Sequence, residues 1–515
     1  MQKSGVMKKS ICLLSFLSYS IILPALLYSQ NVGIGISNPM FKLDVRNGSI
    51  NTDSVYRIGG GSVLSIKGNE NTFVGIGSGS TITSGAFNAA IGFGSLFSNT
   101  TGIYNSASGY QTLYSNTTGH DNTATGVSAL RSNTIGSYNT AHGVNALYYN
   151  TNGQFNTANG YLALYLNTSG SDNTAIGESA LFANTTAFRN TATGVASLYN
   201  NTSGDMNSAF GYQSLLSNTT GFWNVAAGGW ALYSNSTGNT NTAIGVSAMY
   251  FNTTGNSNTA IGMNALRDNV TGWYNTVIGL DAMKNSLDAS YNTVVGYRAG
   301  YNKYMGYNNT LLGAEAEVSF SGQYNSIAIG NGALCPDNST VRIGNSANWS
   351  YGGYANWSNI SDGRFKKNVR EDVAGLDFIK RLRPVTYQID VSGLSSKLNE
   401  NKTSDSIGIM KTAIAEKERM IWTGFIAQEV EEAAIATGFN FSGVDKPKTE
   451  DGMYGLRYAE FVVPLVKAIQ EQQLLIETQS KQVELLKAKI VELERVNDLT
   501  LKRMEKLDQV NAVKK

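Results

Sequence analysis

Asn122-Thr123-Ala124-Thr125-Gly126-Val127-Ser128-Ala129-Leu130-Arg131-Ser132-Asn133-Thr134-Ile135-Gly136-Ser137-Tyr138 decides the fold, because Asn139 starts the same pattern again. Glycines recur every 17 residues without a slip, from Gly75, Gly92 and Gly109 through Gly126, Gly143 and Gly160 to Gly313 and Gly330. Asn stands four residues before each of these glycines except Gly330. Leu or Met usually stands four after, as in Leu130, Leu147 and Met249, and Asn-Thr often follows three residues later.

A fixed short period without insertions implies identical stacked units. Seventeen residues are too few for a helical hairpin but suit one coil of a β-solenoid or β-roll with two short strands and two Gly/Asn turns. Stacking places like on like, so the Asn column before each Gly is expected to form a hydrogen-bonded ladder. At the strand spacing of ~4.7 Å, the sixteen glycine-marked coils give a rod of roughly 75 Å. Each coil offers only Ala before the Gly and Ala-Leu after it, a thin core for one chain. Joint burial between chains, most simply in a homotrimer, is the expected remedy.

Outward from the repeats, the composition changes sharply. Residues 1–360 hold 27 Asp, Glu, Lys and Arg, and residues 361–515 hold 49. The repeat array is assigned to 71–330 and a cap or linker to 331–360, where Arg342-Ile343-Gly344 falls out of phase. The net charge of +2 gives no argument for a nucleic-acid partner. At the other end, Lys3, Lys8 and Lys9 precede the apolar run Ile11 to Leu27, and Ser29 precedes Gln30. This reads as a signal peptide over 1–29, followed by an N-terminal segment over 30–70, and predicts a secreted or cell-surface protein. A membrane anchor is the rival, but Pro24 and the serines make a poor spanning helix. Cys12 has no lipobox around it. Removing the signal leaves only Cys335, so no internal disulfide is expected. No other segment is long and apolar enough to span a bilayer.

Aromatic residues often precede the Asn: Phe87, Tyr104, Tyr138, Phe155, Trp223, Tyr274 and Tyr291. Packing between coils or subunits is favoured over a stacking surface for surface glycans. The repeat generates Asn-x-Ser/Thr sequons automatically, so they carry no weight as glycosylation sites. A Thr/Asn array also raises an ice-binding face, but a clean Thr-x-Thr column is missing. Acids in the repeats are few and scattered (Asp121, Asp172, Glu178, Asp205), which argues against a glycan hydrolase in the rod. With no nucleotide motif and no metal-ligand cluster, neither cofactor nor metal is expected.

The border between the two compositions carries Ser361-Asp362-Gly363-Arg364-Phe365-Lys366. The only histidines, His120 and His142, lie in the repeats, so a serine nucleophile here needs another base, and lysine is the usual alternative. Lysine serves only when neutral, which calls for burial or neighbouring cations such as Arg364, Lys367 and Arg370. Residues five apart do not share a face of a strand or helix, so the chain must bend, with Gly363 the expected place, or a neighbouring subunit must supply one partner.

Ser-Asp-x-Arg-x-Lys at the head of a C-terminal module resembles the self-cleaving intramolecular chaperone domain of phage endosialidases and tail spikes, which also occurs in the myelin regulatory factor. Three further stretches extend the resemblance. Leu376, Ile379 and Leu382 share a helix face that Pro384 ends, before the strand Val385 to Gln388. Trp422-Thr423-Gly424-Phe425-Ile426-Ala427-Gln428-Glu429-Val430 is similar to the family's strand-to-helix signature, and Tyr458 to Gln473 to its closing helix. The polar stretch Ser392 to Met420 reads as an insert or loop. The resemblance implies an α+β module over 361–470 that trimerises, assists folding of the upstream fibre and then cuts itself off. It implies Ser361 as nucleophile, Lys366 as general base, and an orienting or structural role for Asp362 and Arg364. Attack by Ser361 on the preceding carbonyl breaks Ile360–Ser361; the bond after Ser361 is the alternative. The rod repeats in turn resemble the heads of trimeric autotransporter adhesins and phage tail-fibre shafts. Asn31-Val32-Gly33-Ile34-Gly35, with Lys42-Leu43-Asp44-Val45, resembles the opening of fibre-like proteins exported by Bacteroidetes.

One heptad register runs from 462 to 510, with a positions Val462, Ile469, Ile476, Val483, Ile490, Asn497 and Met504 and d positions Leu465, Gln472, Gln479, Leu486, Leu493, Thr500 and Leu507. It predicts a coiled coil whose oligomer state the pattern leaves open. The expected whole is a mostly β rod, a small α+β chaperone domain and a coiled-coil helix. The rival is an adhesive surface protein whose C-terminal module is only a trimer clamp.

Overall fold

The computed structural model describes residues 32–34, 43–45, 55–58, 61–67, 69–348, 350–352, 354, 359–398, 407–447 and 452–513. The expected signal peptide lies outside the described residues. Within the 30–70 segment, Val32–Ile34 pairs in parallel with Leu43–Val45.

The repeats form a β-solenoid. Thr123–Thr125 pairs in parallel with Ser106–Ser108 on one side and Thr140–His142 on the other, each one period away. The same offset holds from Thr72↔Ala89 to Thr310↔Ile327. All but the last two of these coils contribute one short strand, not the two expected; the last two keep a second, Glu317–Val318 paired in parallel with Leu334–Cys335. The other half of the coil still hydrogen-bonds to its neighbour, as in Leu130 N to Ala146 O at 2.9 Å and Ser132 N to Tyr148 O at 2.9 Å. It is not extended, however, because Ser128 (φ 56°) and Leu130 (φ 52°) adopt the left-handed conformation. That conformation costs an L residue roughly 1–2 kcal/mol. Complete burial of the Leu130 side chain and the ladder bonds on either side offset the cost. The strict glycine has a steric origin: Gly126 sits at φ 128°, and a Cβ there would lie 2.5 Å from the carbonyl oxygen of Gly143.

The core closes within a single chain. Ala124, Ala129 and Leu130 are fully or almost fully buried, as are their equivalents in neighbouring coils. The expectation that one chain is too thin to bury its own coil is therefore corrected. The missing volume is filled by amide rather than hydrocarbon. Asn122 Nδ2 donates to Asn105 Oδ1 at 3.1 Å and to Gly136 O at 2.9 Å. A second ladder, which sequence reading noted only as an Asn-Thr recurrence, runs alongside: Asn133 Nδ2 donates to Asn116 Oδ1 at 2.8 Å and to the same Gly136 O at 2.9 Å. Both asparagines are fully buried, and their partners satisfy the demand that buried amides be paired.

Both ends of the solenoid are finished differently from its middle. Val55–Ile58, Gly61–Lys67 and Asn71–Val74 form an antiparallel meander that covers the first coil's edge. At the other end Val341–Ile343 pairs with Ile327–Ile329 at an offset of 14 residues. The out-of-phase Arg342-Ile343-Gly344 thus belongs to a shortened coil. A turn follows, in which Asn345 N donates to Asn348 Oδ1 at 2.7 Å and Asn345 Nδ2 to Asn331 O at 2.8 Å.

The C-terminal region is small and mixed. In chain order it holds helix α1 (Leu376–Arg381), a strand Val385–Tyr387, α2 (Val391–Lys397), α3 (Ile407–Glu418), a strand Trp422–Gly424, α4 (Ala427–Ala436), strands Val444–Asp445 and Gly455–Leu456, and α5 (Val462–Val513). Val385–Tyr387 pairs antiparallel with Trp422–Gly424, and Val444–Asp445 with Gly455–Leu456. Ser392 to Met420, expected to be an insert or loop, contains α2 and α3. Asp390 starts α2 by accepting from Gly393 N at 2.7 Å, a cap that a reading by polarity overlooks. Phe378, Val430, Ala433, Ala434, Phe441 and Phe461 form the core, with Ile379 and Leu382 packed against it.

Helix α5 runs for roughly 78 Å in all at 1.5 Å per residue, most of it past this core. Pro464 and Ala468 are the buried positions in its first turns, following buried Phe461 just before it. The heptad stripe lies on another face, and Val462, Leu465, Ile469, Ile476, Val483, Leu486, Ile490 and Leu493 are all exposed. Among the described residues, no helix is long and apolar enough to cross a membrane.

Candidate functional site

The segment between rod and module carries the candidate pair. Asp362 opens a single 3₁₀ turn over Gly363–Phe365 by accepting from Arg364 N at 2.9 Å. The turn reverses the chain enough for Lys366 Nζ to donate to Ser361 Oγ at 2.7 Å. Two side chains that neither a strand nor a helix could bring together therefore meet within one chain. The bend expected at Gly363 is made by the whole turn: Gly363 holds no left-handed φ, and a Cβ on it would meet nothing within 4 Å.

Asp362 and Arg364 hold the turn shut. Arg364 Nε donates to Asp362 Oδ2 at 2.9 Å, with a second guanidinium nitrogen beside it. The Arg364 side chain and then its backbone amide hold the Asp362 carboxyl below its ordinary range, and Asp362 raises the guanidinium in return. Both groups face solvent. Ser361 and Lys366 are likewise exposed, and Ile360, Phe365 and Val369 present apolar side chains to water, Ile360 at 95 % exposure. The chain rejoins the module at Leu376, whose N–H donates to Glu471 Oε2 of α5 at 2.7 Å.

Residues 361–439 match the family described as the chaperone of endosialidase. The match begins at Ser361 itself and runs through α4 to Phe439. No curated protein matches the chain. A β-solenoid rod followed by a chaperone-of-endosialidase segment is the layout of a fibre-like protein with a C-terminal chaperone.

Within the chaperone segment, the Trp422-to-Val430 signature is a strand, a tight passage and a helix. Phe425 N donates to Tyr458 Oη at 3.1 Å, and a Cβ at Gly424 would meet that hydroxyl at 2.2 Å. Glycine is thus needed where Tyr458 crosses the strand end. An open groove here is lined by Pro384, Val385, Thr386, Thr423, Phe425 and Tyr458. Burial, then the neighbouring Tyr458, raises the Tyr387 hydroxyl pKa. Glu429 of α4 pairs with Arg383, which lowers the carboxyl pKa and ties α4 to the end of α1.

Rings on the rod stack on one another. Phe87 and Tyr104 lie 5.0 Å apart and 7° from parallel, and Tyr138 and Phe155 4.9 Å apart at 3°. A second column, not singled out in the sequence, includes Tyr165, Phe182 and Tyr199. Faces covered by neighbouring rings leave edges and hydroxyls outward, which favours packing between coils over sugar stacking.

Proposed function

We propose that this chain is an exported, homotrimeric, fibre-like β-solenoid protein whose chaperone segment assists its folding and then releases itself by cutting at Ile360–Ser361. The observation that carries the reading is the 2.7 Å contact between Lys366 Nζ and Ser361 Oγ at the head of the chaperone match. In the reaction, neutral Lys366 takes the Ser361 Oγ proton and the oxygen attacks the Ile360 carbonyl carbon. The C–N bond breaks, Lys366 returns the proton to the leaving Ser361 amine, and an ester joins Ile360 to Oγ. Water, deprotonated by the same amine, hydrolyses the ester, leaving an Ile360 carboxylate and a free Ser361 hydroxyl. Lysine needs a dry setting for this. Packing of three such segments around Ile360, Phe365 and Val369 supplies it.

Trimerisation is supported by the heptad stripe of α5, which points away from the helix's own module and leaves large aliphatics without cover. A physical need supports it too. Coils that resemble one another can pair in many wrong registers, and a C-terminal trimer aligns three chains before the rods form. Cleavage afterwards removes the aid and leaves the rod kinetically trapped.

Denaturing-gel and intact-mass analysis of the expressed chain beside Ser361→Ala tests the reading. Two fragments in the wild type that meet at Ile360–Ser361, with one chain in the variant, support it. One intact chain in both reduces the module to a trimer clamp, and cleavage persisting in the variant removes Ser361 from the chemistry.

A further inference from the structure

The turn that ends the rod meets the chaperone segment through a lysine of α3. Lys417 Nζ lies 2.7 Å from Ser346 O and 2.6 Å from Asn348 O. These carbonyls converge because the turn is closed: Asn345 N reaches Asn348 Oδ1 at 2.7 Å, and Ala347 N reaches Asn345 Oδ1 at 2.9 Å. The turn itself is tied to the coil beneath, through Asn345 Nδ2 to Asn331 O at 2.8 Å, and it directly follows the last strand, Val341–Ile343. The two acceptors therefore stand together only once the final, shortened coil is seated. On its other side Lys417 is set by a helix that is itself fixed. Ile414 of α3 is buried, Glu418 accepts from Ser392 N at 2.8 Å, and the chain runs from α3 into Trp422–Gly424.

We propose that Lys417 is a positioning residue that grips the closed terminal turn and so couples completion of the rod to the geometry of the cleavage segment; this rests on the self-cleavage reading above. The ammonium has donors for both carbonyls at once, and the closed turn presents the two together. With the grip formed, the chain that carries Ser361 is held at both ends, by Lys417 at Asn348 and by Glu471 at Leu376. Fixing both ends narrows the conformations open to the stretch between them, which favours the reactive one. Before the last coil is seated the upstream anchor is missing. Cutting is thereby postponed until the rod is built.

Full-length Lys417→Met and Lys417→Arg, each made with Ser361 intact and with Ser361→Ala, test the proposal. With Ser361→Ala, hydrogen exchange at the Asn345 and Ala347 amides should speed up roughly tenfold in Lys417→Met. It should return towards wild type in Lys417→Arg, while the Thr123 amide, in the fourth glycine-marked coil and far from the junction, stays as protected as before. With Ser361 intact, Lys417→Met should cut at least about fivefold more slowly and Lys417→Arg should recover. Unchanged exchange at the terminal turn overturns the grip. Faster exchange with an unchanged cutting rate overturns the coupling. A wild-type chain that stays intact overturns the self-cleavage reading and the coupling with it, while the exchange comparison still decides the grip.

Discussion

The carboxylate of Glu317 accepts the backbone amide of Asn302 at 2.6 Å, in a corner of the rod past the last rung of the second Asn ladder, Asn269 to Asn252. Burial, only partly opposed by the Asn302 and Val318 amides, pushes its pKa up to about 7. A folded-state pKa above the unfolded one gives a contribution that is fully present below the ordinary carboxylate range and lost as pH rises through about 7. The coils around 300–320 should therefore weaken by up to roughly 3 kcal/mol between pH 4.5 and 8. Glu317→Gln should flatten that dependence. Hydrogen exchange at the Asn302 and Val318 amides across this pH range reads it, and a pH-independent wild type would remove the buried carboxylate from the account.

Two asparagines three residues apart should respond oppositely to the same change. Asn156 is fully buried, donates to Asn139 Oδ1 at 3.1 Å and Gly170 O at 2.8 Å, and accepts from Asn173. Asn156→Ala strands several buried partners and should cost roughly 2–4 kcal/mol. Asn159 points outward at the end of the adjoining strand Thr157–Asn159, and Asn159→Ala should stay within about 0.5 kcal/mol of wild type. Thermal unfolding of the rod distinguishes them; equal effects would argue against the ladder.

The cleavage turn offers a similar contrast. Asp362→Ala removes the cap on Arg364 N and should slow cutting roughly fivefold. Gly363→Ala adds a methyl to open space and should leave the rate within about twofold. Time courses of fragment appearance give both numbers. A severe Gly363→Ala defect would mean that a neighbouring chain packs on that face.

Charges placed on the heptad stripe should dissociate the proposed trimer. Ile476→Lys with Leu486→Lys, in the Ser361→Ala background, puts two ammonium groups where α5 presents exposed aliphatics. Light scattering should then report the mass of one chain, with helix content retained only at the start of α5. An unchanged trimer would locate the contact elsewhere, on the rod.

Much of this architecture was legible in the residues themselves. The glycine period, the first Asn ladder and α1 before Pro384 follow from local rules, and the strand-to-helix passage at Trp422 from the family resemblance. The single strand in all but the last two coils did not. Leu130 is left-handed against its own preference, and only the stacked neighbours above and below enforce that. The self-sufficient core was missed because asparagine was read as surface or ladder and not as filling. In the candidate site, Ser361 and Lys366 were visible as a pair five apart, while Asp362 carried only an orienting or structural role from the resemblance and its cap on Arg364 N emerged with the turn. Lys417 and Tyr458 were not, because their partners lie 69 and 33 residues away and only the tertiary fold brings them together.

The unbroken period makes the rod's length a matter of whole numbers. Inserting one unit of 17 residues between Gly126 and Gly143 adds one step of ~4.8 Å and leaves every column, both end caps and the chaperone junction in phase. Inserting 16 or 18 residues instead would turn the Asn columns out of line from that point onward. Reach can thus be graduated without redesigning either terminus, as on a ruler whose divisions are cut by the glycines.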